Sequence, residues 1–550
     1  MTIIKYGAIL ITVAATPWFN TDALIIPKII ILVGIASYFL PDIFKNFKIL
    51  AKDKILRSMS ILVTLFLLQM IIVMVTSDAP VEQELFGRTG RGLGFLTYFS
   101  LMIIMLVTAL KIRYTGISIL LQGLMLSCIL TSGYSMLQFF GLDFVEWQSR
   151  TNGIIGTIGN PNFQSSFVAM ALIPSIVYLW KSAYRNVLLP ITVVVLLVTL
   201  YITESTQGYV AIISSIAFYI LIWMWYRNKK IHFISVLGFV LIAGVFGVLG
   251  MLNRGPLSYY LYKLSVRSRG EMWQTATEMI RDNAWLGVGI DSLGDFSLMY
   301  RNEKTANGIA EYIDNCHNFF LQFAATGGLP LALIYVGIVG LTLVSFFKVQ
   351  NRVAKFDANL AALFAAWISF QLQSIISPAA IPTLVWNFII CGAVIGMNSR
   401  FNSEIRTELE NLTESQKNRQ SQAKKSTISM IGFTLGILSL ILTYPLFKAD
   451  KMARDANTQR DALLAVKAAK HYPESVVRYN LLGTDLYQSK LFDLSLEIGR
   501  SAVKFNPNSY QTWILILVNP NASIDERITA KNNLLRLDPF NRIIQEYPLE

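Results

Sequence analysis

Cysteine and histidine are scarce, each occurring three times in 550 residues. Cys128, Cys316 and Cys391 are too few and too scattered for a disulfide framework or a metal-ligand spacing. Cys128 and Cys391 lie inside apolar runs and read as packing residues. Charge is low as well: 15% of residues are charged and 54% are hydrophobic. One aqueous core cannot hide that much apolar surface, so lipid must be the solvent for most of the chain. The formal charge of +13 does not require nucleic acid, because Lys and Arg fall in short clusters between apolar runs, as the positive-inside bias demands. The first run, Ile3 to Phe19, lacks a small-residue cleavage site and is followed at once by another run. It is expected to be retained as a first span.

A window of about 20 residues, enough to cross roughly 30 Å of hydrocarbon, picks out thirteen runs: 3–19, 24–40, 58–76, 92–110, 116–138, 163–180, 187–203, 208–225, 233–251, 328–347, 359–376, 380–397 and 427–447. Basic residues follow every second run. Lys45 to Arg57 come after the second, Lys111 and Arg113 after the fourth, Lys181 and Arg185 after the sixth, and Arg227 to Lys230 after the eighth. Lys348, Arg352 and Lys355 follow the tenth, and the stretch 400–425 the twelfth. That side, with the N-terminus, is expected to be cytoplasmic in a plasma (inner) membrane. Loops 77–91, 139–162, 204–207, 252–327 and 377–379, and everything after Tyr444, then face outward. The expected fold class is all-α: a polytopic transmembrane helix bundle of 12–13 spans. Its parts are N-terminal spans in 1–251, a large outer loop in 252–327 with the candidate chemistry, C-terminal spans in 328–450 and an outward helical repeat domain in 451–550.

The tail carries a periodic punctuation. His471-Tyr-Pro473, Phe505-Asn-Pro507 and Leu537-Asp-Pro539 recur with prolines 34 and then 32 residues apart, the period of tetratricopeptide helical hairpins. Ala462, Leu463, Ala465, Ala468 and Ala469 supply small-residue helix packing. An unrelated helical tail is the plainer alternative; either would serve as a docking surface for a protein partner or an extended glycan.

Four stretches on three of the loops expected to face outward hold residues suited to chemistry. His317 lies in Asp314-Asn-Cys-His317-Asn318, where the large loop returns to the apolar region. An imidazole at a membrane boundary can take a proton near neutral pH, with Asp314 or the Asn318 amide to fix its tautomer. A histidine that only bonds a loop carbonyl is the plainer reading of position alone. Upstream, Arg267-Ser-Arg269-Gly-Glu-Met-Trp273 puts Arg269 and Trp273 on one helix face. With Lys263 and Arg254 it concentrates positive charge where the positive-inside bias does not ask for it. Guanidinium groups suit bidentate contact with phosphate, although incidental arginines on a solvated helix would look alike. Gly87-Arg88-Thr-Gly-Arg91 and Arg150-Thr-Asn-Gly-Ile-Ile-Gly-Thr-Ile-Gly159-Asn160-Pro161-Asn162 each open a span, as an anion nest or as helix-start turn chemistry. Glu271, Asp282, Asp291 and Asp295 lack metal-ligand spacing, so neither metal nor other cofactor is implied.

Gly159-Asn-Pro-Asn162, then Arg269-x-x-x-Trp273 with Leu286-Gly-Val-Gly289, then His317-Asn318 leading to Gly327-Gly328-Leu-Pro330, taken in this order, resemble the O-antigen ligase and polymerase superfamily over residues 85–345. The resemblance implies a metal-independent, inverting C-type (GT-C) glycosyltransferase that takes a glycan from a polyprenyl (undecaprenyl) diphosphate on the outer face. It implies that His317 helps deprotonate an acceptor hydroxyl, and that Arg269, with Arg88 and Arg91, binds and stabilises the diphosphate. Asn160, Asn162, Trp273 and Asn318 would line the substrate. One departure stands out: many ligases have Ser-Arg-Gly where this chain reads Glu204-Ser-Thr-Gln207-Gly208. Gln207 can hydrogen-bond a phosphate or sugar but brings no charge, and Arg267 and Arg150 are the candidates to supply it. The acceptor stays open between a lipopolysaccharide core, a growing polysaccharide and a protein hydroxyl. A lipid-linked glycan transporter and a non-catalytic anchor for the tail are the competing classes.

Overall fold

The computed structural model describes residues 1–112, 116–145, 147, 153–262, 264–301, 313–353, 356–400 and 420–549. Arg150 and Lys263 lie outside the described residues. The described residues contain helices and no strand. The helices are α1 (Thr2–Val13), α2 (Ile25–Lys45), α3 (Phe47–Lys52), α4 (Lys54–Thr76), α5 (Val81–Phe86), α6 (Phe95–Ile112), α7 (Ser118–Phe139) and α8 (Pro161–Trp180). There follow α9 (Arg185–Ile202), α10 (Thr206–Tyr226), α11 (Lys230–Met251), α12 (Ser258–Leu261), α13 (Leu264–Asp282), α14 (Leu293–Phe296), α15 (Phe319–Arg352), α16 (Ala358–Ser374) and α17 (Ile381–Arg400). The last group is α18 (Gln420–Gln459), α19 (Ala462–Ala469), α20 (Val476–Gln488), α21 (Phe492–Phe505), α22 (Tyr510–Leu517), α23 (Ile524–Leu537) and α24 (Arg542–Gln545).

Eleven of these helices are long and apolar enough to cross a membrane: α2, α4, α6 to α11, α15, α17 and α18. The two other predicted runs form shorter helices, α1 with 12 residues and α16 with 17. The first run was expected to reach Phe19, but α1 stops at Val13. Pro17 disfavours helix at the residue before it and lacks an N–H. The chain instead turns back, with Thr16 N donating to Ala23 O at 2.8 Å. Burial follows lipid as the solvent: α17, at the centre, is buried all round, whereas α11 leaves Ile234, Phe239 and Leu241 exposed. The protein is a multi-pass membrane bundle.

Side-chain contacts sort the connections into two ends. At the basic end, Lys111 pairs with Asp42 at 2.9 Å and Lys181 Nζ donates to Asn359 Oδ1 at 3.1 Å. At the other end the 77–94 and 283–301 segments meet, with Ile290 N donating to Glu84 Oε1 at 2.9 Å, and the tail lies against both. In the tail, Pro473, Pro507 and Pro539 each stand three residues ahead of a helix, α20, α22 and α24. The helices between them pair off around small cores built on Ala465, Ala468, Leu482 and Ile498, then on Trp513, Leu517, Ala530 and Leu534.

One irregularity in α15 shapes this end. Gly328 has φ 78 and ψ 166, so a short helix from Phe319 breaks there before the long span begins. Pro330 has no N–H to return to Thr326, and Leu329 N turns away to Ala284 O at 2.7 Å. The carbonyls left open are taken by the Leu286-Gly-Val-Gly289 turn: Val288 N donates to Ala325 O at 2.9 Å and Gly289 N to Thr326 O at 3.1 Å. Gln69 Nε2 on α4 serves two more, Trp285 O at 2.9 Å and Gly327 O at 3.0 Å. Backbones approach this closely only because both partners are glycine. A Cβ on Gly287 (φ 68) would strike Thr326, and one on Gly328 would strike the Trp285 carbonyl.

Candidate functional site

His317 stands two residues ahead of α15, with φ 54 and its N–H donated to Asn315 Oδ1 at 2.8 Å. Asn318 caps the helix: its Oδ1 accepts from Phe320 N and Leu321 N, both at 3.0 Å. His317 therefore stands in the chain just ahead of the positive end of the helix. Asn318, named as a substrate contact, is 9% exposed and spends its oxygen on the cap.

Arg91 grips Asp314 through two bonds, Nη2 to Oδ1 at 2.8 Å and Nε to Oδ2 at 3.2 Å. Asp314 is thus occupied by Arg91, and the buried Nδ1 of the imidazole has no hydrogen-bond partner among the described residues. Burial alone would raise the Asp314 carboxyl; Arg91, then Arg88 and His317, bring it below its ordinary value. For His317, burial and then the charges of Arg269 and Arg91 push the imidazole down to about 4, against the pull of Asp314. It is neutral at pH 7 and able to accept a proton.

Arg269 reaches this cluster from α13, which packs on α15 through Ala276, Met279, Leu321 and Ala325. Its guanidinium is partly buried, which lowers its ordinary value, and it has no carboxylate beside it among the described residues. Trp273 is one turn further on the same face, and its buried Nε1 has no partner among the described residues. Arg267 belongs to the opposite, exposed face, paired with Glu271 at 3.4 Å. The structure therefore brings together Arg91, Arg269, Asp314 and His317.

Arg88 lies in a layer beneath. It is 5% exposed, its Nη1 held by Asp295 Oδ1 at 2.9 Å. Asp291 Oδ2 accepts both ends of the arginine loop, Arg88 N at 2.8 Å and Leu93 N at 3.1 Å. Burial pushes the Asp291 carboxyl up to about 6 against those bonds and the two arginines. These acids were visible in the sequence as unassigned residues of the large loop. Their complementarity with Arg88 and Arg91 was the available signal, but the pairing spans about 200 residues and no local pattern specifies it.

Asn160, Asn162 and Gln207 form a separate cluster. Asn160 is the N-cap of α8, accepting from Asn162 N at 2.8 Å, with Pro161 in the first helical position. Asn162 Oδ1 accepts from Ser205 Oγ at 2.7 Å, and Gln207 Oε1 from Gln373 Nε2 at 2.6 Å. The glycine-rich segment before them is pinned: Lys28 Nζ donates to Thr157 O at 2.7 Å and Gly156 N to Gln138 Oε1 at 2.8 Å. Helix-start chemistry and loop anchoring account for these contacts.

Residues 191–336 match the O-antigen ligase family. The matched segment holds Arg269, Trp273, the Leu286-Gly-Val-Gly289 turn, His317 and the Gly328 break; Arg88, Arg91 and Asn160 precede it. No curated protein matches the chain. The match supports a membrane enzyme of the O-antigen ligase superfamily that transfers glycans.

Proposed function

We propose that the protein transfers a glycan from a polyprenyl diphosphate to an acceptor hydroxyl, at the non-cytoplasmic end of the bundle. The observation that carries this reading is a partly buried Arg269 guanidinium without a carboxylate partner among the described residues, acting on a neutral His317 at the positive end of α15. Such a place attracts an anion beside a proton acceptor. The diphosphate would lie against Arg269 and Arg91, with its prenyl chain in the bilayer. The acceptor O–H then attacks the anomeric carbon with inversion. The new C–O bond forms as the bond to phosphate breaks, the proton passes to His317, and the arginines hold the charge that collects on the departing diphosphate. No metal enters this scheme.

Bound diphosphate also changes the base. Its negative charge offsets the arginine charges that depress the imidazole, so His317 becomes a stronger base once the donor is in place. Donor binding before acceptor activation follows. Lipopolysaccharide core, growing polysaccharide and protein hydroxyl all fit this chemistry as acceptors, and a tetratricopeptide-like tail would suit an extended or protein acceptor.

Purified protein in nanodiscs, given a synthetic polyprenyl-diphosphate sugar, should release polyprenyl diphosphate only when an acceptor is added. Movement of intact donor across the bilayer without release would instead establish a transporter.

A further inference from the structure

The residue before each punctuating proline of the tail touches the outer loops. Tyr472 packs edge-on against Phe86, with ring centroids 6.2 Å apart. Asn506 Nδ2 donates to Asp295 Oδ2 at 3.0 Å, and Asp538 Oδ1 accepts from Arg301 Nε at 2.7 Å. The repeat that spaces the helices thus also spaces three anchors along the outer loops. The middle anchor is the most consequential. Asn506 is fully buried, and the carboxylate it reaches is the one that holds Arg88 at 2.9 Å and accepts from Gln83 Nε2 at 2.8 Å.

Arg88 is in turn the hub of the arginine loop. Its carbonyl accepts from Arg91 N and Gly92 N, both at 2.9 Å, and its own N–H goes to Asp291. A shift of Asp295 is passed through Arg88 to Arg91 and so to the Arg91–Asp314 pair next to His317. We infer that the tail is a built-in part of the transfer site and that Asn506 is a positioning residue, holding the arginine loop in register through Asp295. This rests on the transfer reading for its effect on donor, and on geometry alone for its effect on the loop.

Asn506→Asp separates this role from general loosening of the tail. Asn506 Oδ1 accepts from Asn508 N at 3.0 Å, and an aspartate keeps that turn while setting a carboxylate against Asp295. The control is Asn508→Ala, which removes the tail's own contact with Arg536 at 3.1 Å. Affinity for polyprenyl diphosphate and hydrogen exchange at residues 87–94 are measured for both. Asn506→Asp should weaken binding roughly tenfold and speed exchange of Arg88 and Leu93 amides, while Asn508→Ala matches wild type in both. Asn506→Asp indistinguishable from wild type, or both variants equally impaired, would overturn the inference. Wild-type protein that binds no polyprenyl diphosphate would sink the transfer reading instead, and the exchange data would still judge the positioning role.

Discussion

His317 carries a tension that can be measured. An imidazole pushed down to about 4 is unprotonated through most of the usable pH range, so acidification should not stop the free protein from engaging substrate until well below neutrality. Arg269→Gln removes one of the positive charges that hold it down. The imidazole then rises toward its ordinary 6.5, protonates at a higher pH, and the acid limb of kcat/KM moves upward. A pH–rate profile of that variant checks this, and an unmoved limb would detach Arg269 from His317. In the wild type, the acid limb of kcat should lie above that of kcat/KM, because the bound diphosphate opposes the same charges. These residues were legible because histidine is so rare and because arginines in a loop expected to face outward break the positive-inside pattern. Their partners were not: Asp314, one of two residues expected to fix the imidazole, pairs with Arg91, and Arg88 pairs with Asp295.

Among the helices, the spans were readable for a physical reason: each must present about 20 apolar residues to cross hydrocarbon. All thirteen runs correspond to helices, and Pro17 cut the first one short. The break in α15 was half visible. Gly327-Gly328-Leu-Pro330 marks an interruption, and Leu286-Gly-Val-Gly289 marks a turn, but only folding shows that the second supplies the N–H groups the first requires. Gly328→Ala should therefore cost roughly 1–3 kcal/mol in backbone strain alone, with a further loss from the collision at Trp285. The unfolding midpoint in detergent should fall. A Gly340→Ala change in the same helix, where an added methyl meets nothing, should leave it nearly unchanged. Equal midpoints for the two variants would show that the docked turn contributes nothing.

At the scale of the whole molecule, loops from distant parts of the chain converge at one end of the bundle and the tail closes over them. The 34- and 32-residue spacing of the prolines suggested a helical tail, and the docking of that tail on Phe86, Asp295 and Arg301 was beyond the reach of periodicity. Removing residues 451–550 should lower turnover with every acceptor tested, because Asp295 loses a partner and the arginine loop loses its lid. A truncated protein with wild-type turnover and only an altered product length would return the tail to acceptor docking. The central claim is tested most directly by single-turnover transfer from a synthetic polyprenyl-diphosphate sugar, with donor affinity measured alongside. For His317→Ala the account predicts a rate reduced by about 10²–10⁴ with donor affinity kept within a few-fold. Transfer by His317→Ala at the wild-type rate would contradict it.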